Sequence, residues 1–190
     1  MNLMEVTEVV EEIRQLKSTL QTIQGHIFYT FRDLEKYVDN TVTYAVSGVE
    51  QGSHVLLIEN TKLLPVIQKK LKSSLSKEQL SSIYFKNNFD FYFSKGTFNP
   101  VIVFNHFVQS LEPHMEDNAS IRTWGHVEWG STKDAYREVE QYENNINELI
   151  TLKNLTSVCA YSVERLTEEF KNALLQCHGF HMTDDKIIKV

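Results

Sequence analysis

The run Val55-Leu56-Leu57-Ile58, opened by His54, constrains the fold more than any other stretch of this chain. A strand that is apolar without interruption has no face to offer to water. It must be covered on both sides, which is the environment of an inner strand in a parallel sheet. Before it, Leu34, Tyr37, Val38, Thr41, Val42, Ala45, Val46 and Val49 recur at helical spacing, and Gly52 supplies a stop. After it, Asn60 or Thr61 can cap a helix carrying Leu63, Leu64, Ile67 and Leu71.

The same alternation continues in both directions. His26-Ile27-Phe28-Tyr29 reads as a short strand, and Thr30-Phe31-Arg32-Asp33 fits a capping box leading into the first of these helices. Ser81 to Phe85 and Phe89 to Phe93 give two further strand-like runs, and Asn99-Pro100 starts a helix through about Leu111. Ile121 to Trp129 reads as extended. Ser131-x-x-Asp134 is a second capping box for a charged helix over 133–150 with Val139, Tyr142, Ile146 and Leu149 as its apolar positions. Val158-Cys159-Ala160-Tyr161 is another buried strand, Ser162 can cap a helix over 163–176, and Gly179 to Val190 forms an edge strand or a tail. The expected architecture is α/β: an open, mostly parallel sheet with helices on both faces.

Residues 3–24 carry no Gly or Pro, and Val6, Val9, Ile13, Leu16, Leu20 and Ile23 fall on a and d positions of three heptads. This divides the chain into an N-terminal coiled-coil-like helix, 1–24, and an α/β domain, 25–190. The seam serves either to pair with a second copy or a partner, or to dock on its own domain. With 190 residues and 42% hydrophobic content, one substantial core is expected.

A formal charge of −6 and the lack of a basic patch argue against direct binding of nucleic acid. No run is long and apolar enough for a membrane span, and Glu5, Glu8, Glu11 and Glu12 stand where a signal peptide would be basic and then apolar, so a cytoplasmic protein is expected. Cys159 and Cys177 are expected as free thiols.

Between the first strand and first helix a nucleotide hydrolase needs a glycine-rich loop with Lys and Ser or Thr. Here the junction is Tyr29-Thr30-Phe31-Arg32-Asp33, with no glycine, no lysine, and a carboxylate where phosphate would sit. No G-x-S-x-G, H-E-x-x-H or G-x-G-x-x-G occurs either. No catalytic residue, cofactor or metal is assigned, and the expectation is a protein that is not an enzyme.

Seven histidines call for a metal test. Cys177, His178 and His181 are close enough to share a site with a fourth ligand from elsewhere, but a helix C-terminus with a buried thiol accounts for them as well. His26 and His54 open separate strands, away from the strand C-terminal ends where parallel sheets keep their pockets, and are read as structural.

The segment Arg122 to Trp129 places a guanidinium, a carboxylate and two indoles within eight residues. As a strand it puts Arg122, Trp124, His126 and Glu128 on one side, and Thr123, Val127 and Trp129 on the other. Two readings stand: a ligand pocket in which Arg122 pairs with Glu128 beside an aromatic wall, or an ion pair with Trp packing that only holds the fold.

At this segment the chain resembles the MEDS sensory domains, named for methanogens, methylotrophs and the dichloromethane-response regulator. The resemblance covers about residues 25–180. It runs through Gly25-His26-Ile27, Gly48-Val49-Glu50-Gln51-Gly52, Gly96-Thr97-Phe98, Arg122 to Trp129, Tyr142-Glu143 with Asn145, Cys159-Ala160-Tyr161, and Leu174 to His178. Two departures are Phe28, where the family often has Cys, and His126, where it often has Glu. The resemblance implies a degenerate RecA/KaiC-like core without its phosphate loop, sensing small and often hydrocarbon-like molecules.

Taken together, these features give a non-catalytic cytoplasmic sensory domain that signals through a partner such as a signalling kinase or regulator. Homodimerisation through residues 3–24 is expected, with no membrane contact. Its ligand pocket would hold Tyr29, Arg122, Trp124, Glu128 and Tyr161, the charged pair making polar contacts and the aromatics apolar ones. A ligand-free docking scaffold and a histidine-dependent enzyme or phosphotransfer accessory are the alternatives.

Overall fold

The computed structural model describes residues 3–115, 120–130 and 134–190; the side chains of 3–10, 12 and 13 fall outside the description. The helices are α1 (Leu3–Thr22), α2 (Leu34–Glu50), α3 (Leu64–Ser74), α4 (Lys77–Leu80), α5 (Asn88–Tyr92), α6 (Pro100–Leu111), α7 (Ala135–Lys153) and α8 (Glu168–Gln176). The strands are β1 (Gly25–Phe31), β2 (His54–Glu59), β3 (Ile83–Asn87), β4 (Ile121–His126), β5 (Thr156–Ser162), β6 (Phe180–Met182) and β7 (Ile187–Lys189). They form one seven-stranded sheet in the order β3-β2-β4-β5-β1-β6-β7. Every pairing is parallel except that of β7 on β6.

Two cores lie on opposite faces. Tyr29, Tyr37, Tyr44, Leu57, Trp124 and Val158 meet α1, α2 and α3 on one. Phe28, Leu56, Phe107, Tyr142, Tyr161 and Phe170 meet α6, α7 and α8 on the other. Neighbouring residues of one strand divide between the faces, as pleating requires. The two-sided burial expected from the Val55–Ile58 run is what the sheet delivers.

Several local expectations are corrected. Thr30 lies inside β1, and Asp33 is the N-cap of α2, its side chain accepting from the amides of Glu35 and Lys36. Asn60 does not start α3 directly: its Oδ1 accepts from Lys62 and Leu63 in a turn ahead of the helix. Phe89–Phe93 is not a strand. Asn87 caps Asp90 and winds 88–92 into α5, which buries Phe91 and Tyr92 and leaves Phe89 outside. Ser162 leads only into a short 3-10 turn, and Thr167 caps α8. Ser131 of the second capping box lies outside the described residues. Gly52, at φ +77°, ends α2 as expected.

Helix α1 packs on its own domain at its C-terminal half, where Leu16 and Leu20, followed by Ile23, join the first core. Val6, Val9 and Ile13, the first half of the seam, lie outside the described side chains. No helix among the described residues is long and apolar enough to cross a membrane.

Candidate functional site

The five residues expected to share a pocket do not come together. Arg122 stands at the start of β4, the N-terminal edge of the sheet. Its guanidinium donates to the carbonyls of Leu20 (2.8 Å) and Gln21 (3.3 Å) and to Gln51 Oε1 (3.1 Å). It thus caps the end of α1 and ties it to the end of α2. Glu128, at the opposite edge, pairs with Arg165, whose guanidinium lies 4.0 Å over the Trp129 ring. The expected Arg122–Glu128 pair is not formed, because β4 separates its members along its whole length.

Trp124 and Tyr29 are fully buried in the first core. The indole Nε1 donates to Tyr37 Oη at 3.0 Å; Tyr29 Oη donates to Asp184 Oδ1 at 2.8 Å and accepts from Asn40. Tyr161 points to the other face and donates to Glu143. Only Trp124 and Tyr29 are in contact, edge to face at 5.5 Å.

At the junction of β1 and α2, carboxylates of the chain itself occupy the amides that would meet a phosphate. Asp184 Oδ2 accepts from Arg32 N (3.1 Å) and Asp33 N (3.2 Å), while Asp33 Oδ1 takes those of Glu35 and Lys36. A helix N-terminus favours negative charge, and here that charge is built in.

The C-terminal edge over β2, β3 and β4 holds an open cleft of about 400 Å³, lined by Asn60, Thr61, Asn87, Asn88, Phe89, Phe93 and Glu128. Of the five sequence-derived residues, Glu128 alone lines it. Behind it lies a buried polar network. Glu59, at the end of β2, accepts from His126 Nδ1 (2.7 Å), Asn60 N (2.7 Å) and the Tyr37 hydroxyl. Asn88 Nδ2 donates to the carbonyl of His126 at 3.2 Å. Burial pushes the pKa of Tyr37 up, and the Glu59 charge adds to this, so its hydroxyl remains a donor. The network links the cleft wall to Trp124 through Tyr37. This is the edge where open α/β sheets bind ligands.

A second polar constellation lies across the sheet. His26, Glu143, Cys159 and His178 are all buried and bring one ligand-type atom each within 4.8 Å of one another. Of the Cys177, His178 and His181 group, only His178 takes part. Cys177 Sγ donates to the carbonyl of Ala173, and His181 pairs with Thr30.

Sequence reasoning missed Glu59, Tyr37 and Glu143. Glu59 ends the apolar strand, where a polar residue is ordinary. Glu143 sits among the acidic residues of α7, but it falls on the helical stripe of Val139, Ile146 and Ile150, and that placement was its available signal.

The family model for the methanogen/methylotroph, DcmR sensory domain (MEDS) matches residues 25–179. No curated protein matches the sequence. Among solved structures, the chain is similar to an ATPase domain, with a TM-score of 0.54 at 8% identity over 84% of this chain and 68% of that one. It is similar to a DnaB-like replicative helicase at 0.56 and 8%, over 84% of this chain and 46% of that one. The flagellar accessory protein FlaH from Methanocaldococcus jannaschii gives 0.51 and 12%, over 84% and 70%. At these identities the likeness shows the fold, a RecA-like ATPase architecture.

Proposed function

The chain belongs to the MEDS family of sensory domains, and from that premise we propose that it is a non-catalytic cytoplasmic regulatory domain whose ligand is a small, neutral, largely hydrocarbon molecule. The observation that carries this reading is the cleft at the C-terminal edge. Its wall combines two phenyl rings with three side-chain amides and a single carboxylate already paired to Arg165. Apolar surface with a few polar groups suits a short oxygenated hydrocarbon better than an anion.

The filled amides at the start of α2 support the non-catalytic part, since a nucleotide's phosphates would have to displace Asp33 and Asp184. The Glu59–His126–Tyr37 network gives ligand occupancy a route inward, from Asn60 and Asn88 on the cleft wall to the core beneath α2. Signalling then runs through a partner protein or a second copy bound by the N-terminal part of α1, because Leu16 and Leu20 are committed to the domain. Exposed Phe89 at the cleft rim favours a second reading, a protein-docking surface without a small ligand.

The test is a thermal-shift screen of the full chain against short alcohols, ketones and amides. A compound at a hundred times its Kd adds about 2.7 kcal/mol of stability. A shift lost in Phe93→Ala and weakened in Glu128→Gln supports the sensor. No shift with any compound, with Phe89→Ser abolishing partner capture, favours the docking surface.

A further inference from the structure

On the face of the second core, four side chains from four separate elements converge. His26 stands on β1, Cys159 on β5, Glu143 on α7 and His178 just past α8. His26 Nε2 is 3.2 Å from Glu143 Oε2 and 3.3 Å from Cys159 Sγ; His178 Nε2 is 3.6 Å from the same Glu143 oxygen. All four residues are more than nine-tenths buried. Four ligands held around one ion at about 2.0–2.3 Å lie roughly 3.3–3.8 Å apart when tetrahedral.

The hydrogen bonding around them points the same way. The Nδ1–H of His26 donates to the carbonyl of Cys177 at 3.2 Å, and the Nδ1–H of His178 to that of Leu174 at 2.7 Å. A neutral imidazole fixed in this tautomer keeps its Nε2 lone pair, aimed here at the centre of the group. Tyr161 donates to Glu143 Oε1 and leaves Oε2 turned inward. Glu143 Oε2 and His178 Nε2 are the converging atoms with no hydrogen-bond partner. Two buried acceptors that face each other without a proton between them repel, and a cation would satisfy both.

Burial lowers the pKa of His178 to about 3 and so favours its neutral form. A carboxylate and a thiolate would cancel the two positive charges of a divalent ion, leaving a dry interior neutral.

We propose that His26, Glu143, Cys159 and His178 form a closed binding site for a divalent late first-row transition ion of the zinc type. Imidazole and thiolate select against magnesium and calcium, and four protein ligands leave no open coordination position. The ion joins β1, β5, α7 and the turn after α8, and binding it releases the Cys159 thiol proton to solvent. Because none of the four residues lines the cleft, the proposal does not rest on the sensor reading.

The test is titration of the reduced, chelator-treated full chain with cobalt(II) and then zinc(II). One equivalent of cobalt should bind with intense visible bands of tetrahedral cobalt and a near-ultraviolet thiolate band, both erased by zinc, and zinc should raise Tm. Cys159→Ser should lose the thiolate band, and Cys177→Ser should keep it. Tyr161→Phe should keep the spectrum and bind about 10–100-fold more weakly. A folded wild-type chain, checked by circular dichroism, that takes up no stoichiometric cobalt would overturn the proposal. So would a thiolate band that survives in Cys159→Ser and disappears in Cys177→Ser.

Discussion

Arg122 reaches the carbonyl of Leu20 at 2.8 Å from the start of β4, so the last turn of α1 is held by a charge from the sheet itself. Its guanidinium also lies 5.7 Å over the ring of Tyr44 and takes Gln51 as a further partner. Arg122→Ala is expected to cost about 1.5–3 kcal/mol, the scale of a hydrogen bond to a charged group, and to free the end of α1. Urea unfolding measures the first effect. Faster amide exchange over residues 14–23, with exchange at the C-terminal edge unchanged, checks the second.

Gly125 is the position on β4 where Tyr92 leaves no room for a side chain. A β-carbon there would stand 2.7 Å from Tyr92 Oη. Gly125→Ala should destabilise by about 1–3 kcal/mol through overpacking, and adding Tyr92→Phe should restore most of it. A double-mutant cycle by denaturant unfolding reads the coupling; additive losses would show that the clash is relieved elsewhere.

Glu59 accepts from three donors in a buried place. Glu59→Gln turns one acceptor oxygen into a donor that faces another donor, an expected loss of about 1–3 kcal/mol. The indole of Trp124, joined to Glu59 through Tyr37, should report it as altered fluorescence, although the substituted residue touches no tryptophan.

ATP with Mg²⁺ should leave the Tm of the wild-type chain unchanged, because Asp33 and Asp184 already hold the amides at the start of α2. Asp184→Ala should lower Tm by freeing three donors, those of Arg32, Asp33 and Tyr29. Phosphate should then raise the Tm of the variant and not that of the wild type.

The sheet was readable in the sequence because β2 is apolar from Val55 to Ile58, a run that admits one environment, and strand-like and helical runs alternate on either side of it. The helix over 88–92 was not, since Phe89-Asp90-Phe91 alternates like a strand and the deciding contact is local, from Asn87 to the Asp90 amide. Glu128 was found at the cleft because it closes an unusual segment. Arg122 was misplaced for the same reason: it opens β4 while Glu128 lies just past the end of that strand, and proximity in sequence hid the separation. The buried constellation escaped because His26, Glu143, Cys159 and His178 come from four elements, and no spacing rule joins them.

The position of β1 has a further consequence for how the chain reaches this state. Its neighbours are β5, in register from Gly25 with Thr156, and β6, pairing Ile27 with Phe180. Within this sheet β1 therefore waits for residues 156–182, made well after it, before either of its edges is covered. Such non-local pairing is slow to form and leaves an apolar strand open to wrong partners meanwhile. Synthesis that stops short of Thr156 yields a chain whose inner strand β1 has nothing to pair with, and aggregation competes with folding until those residues arrive.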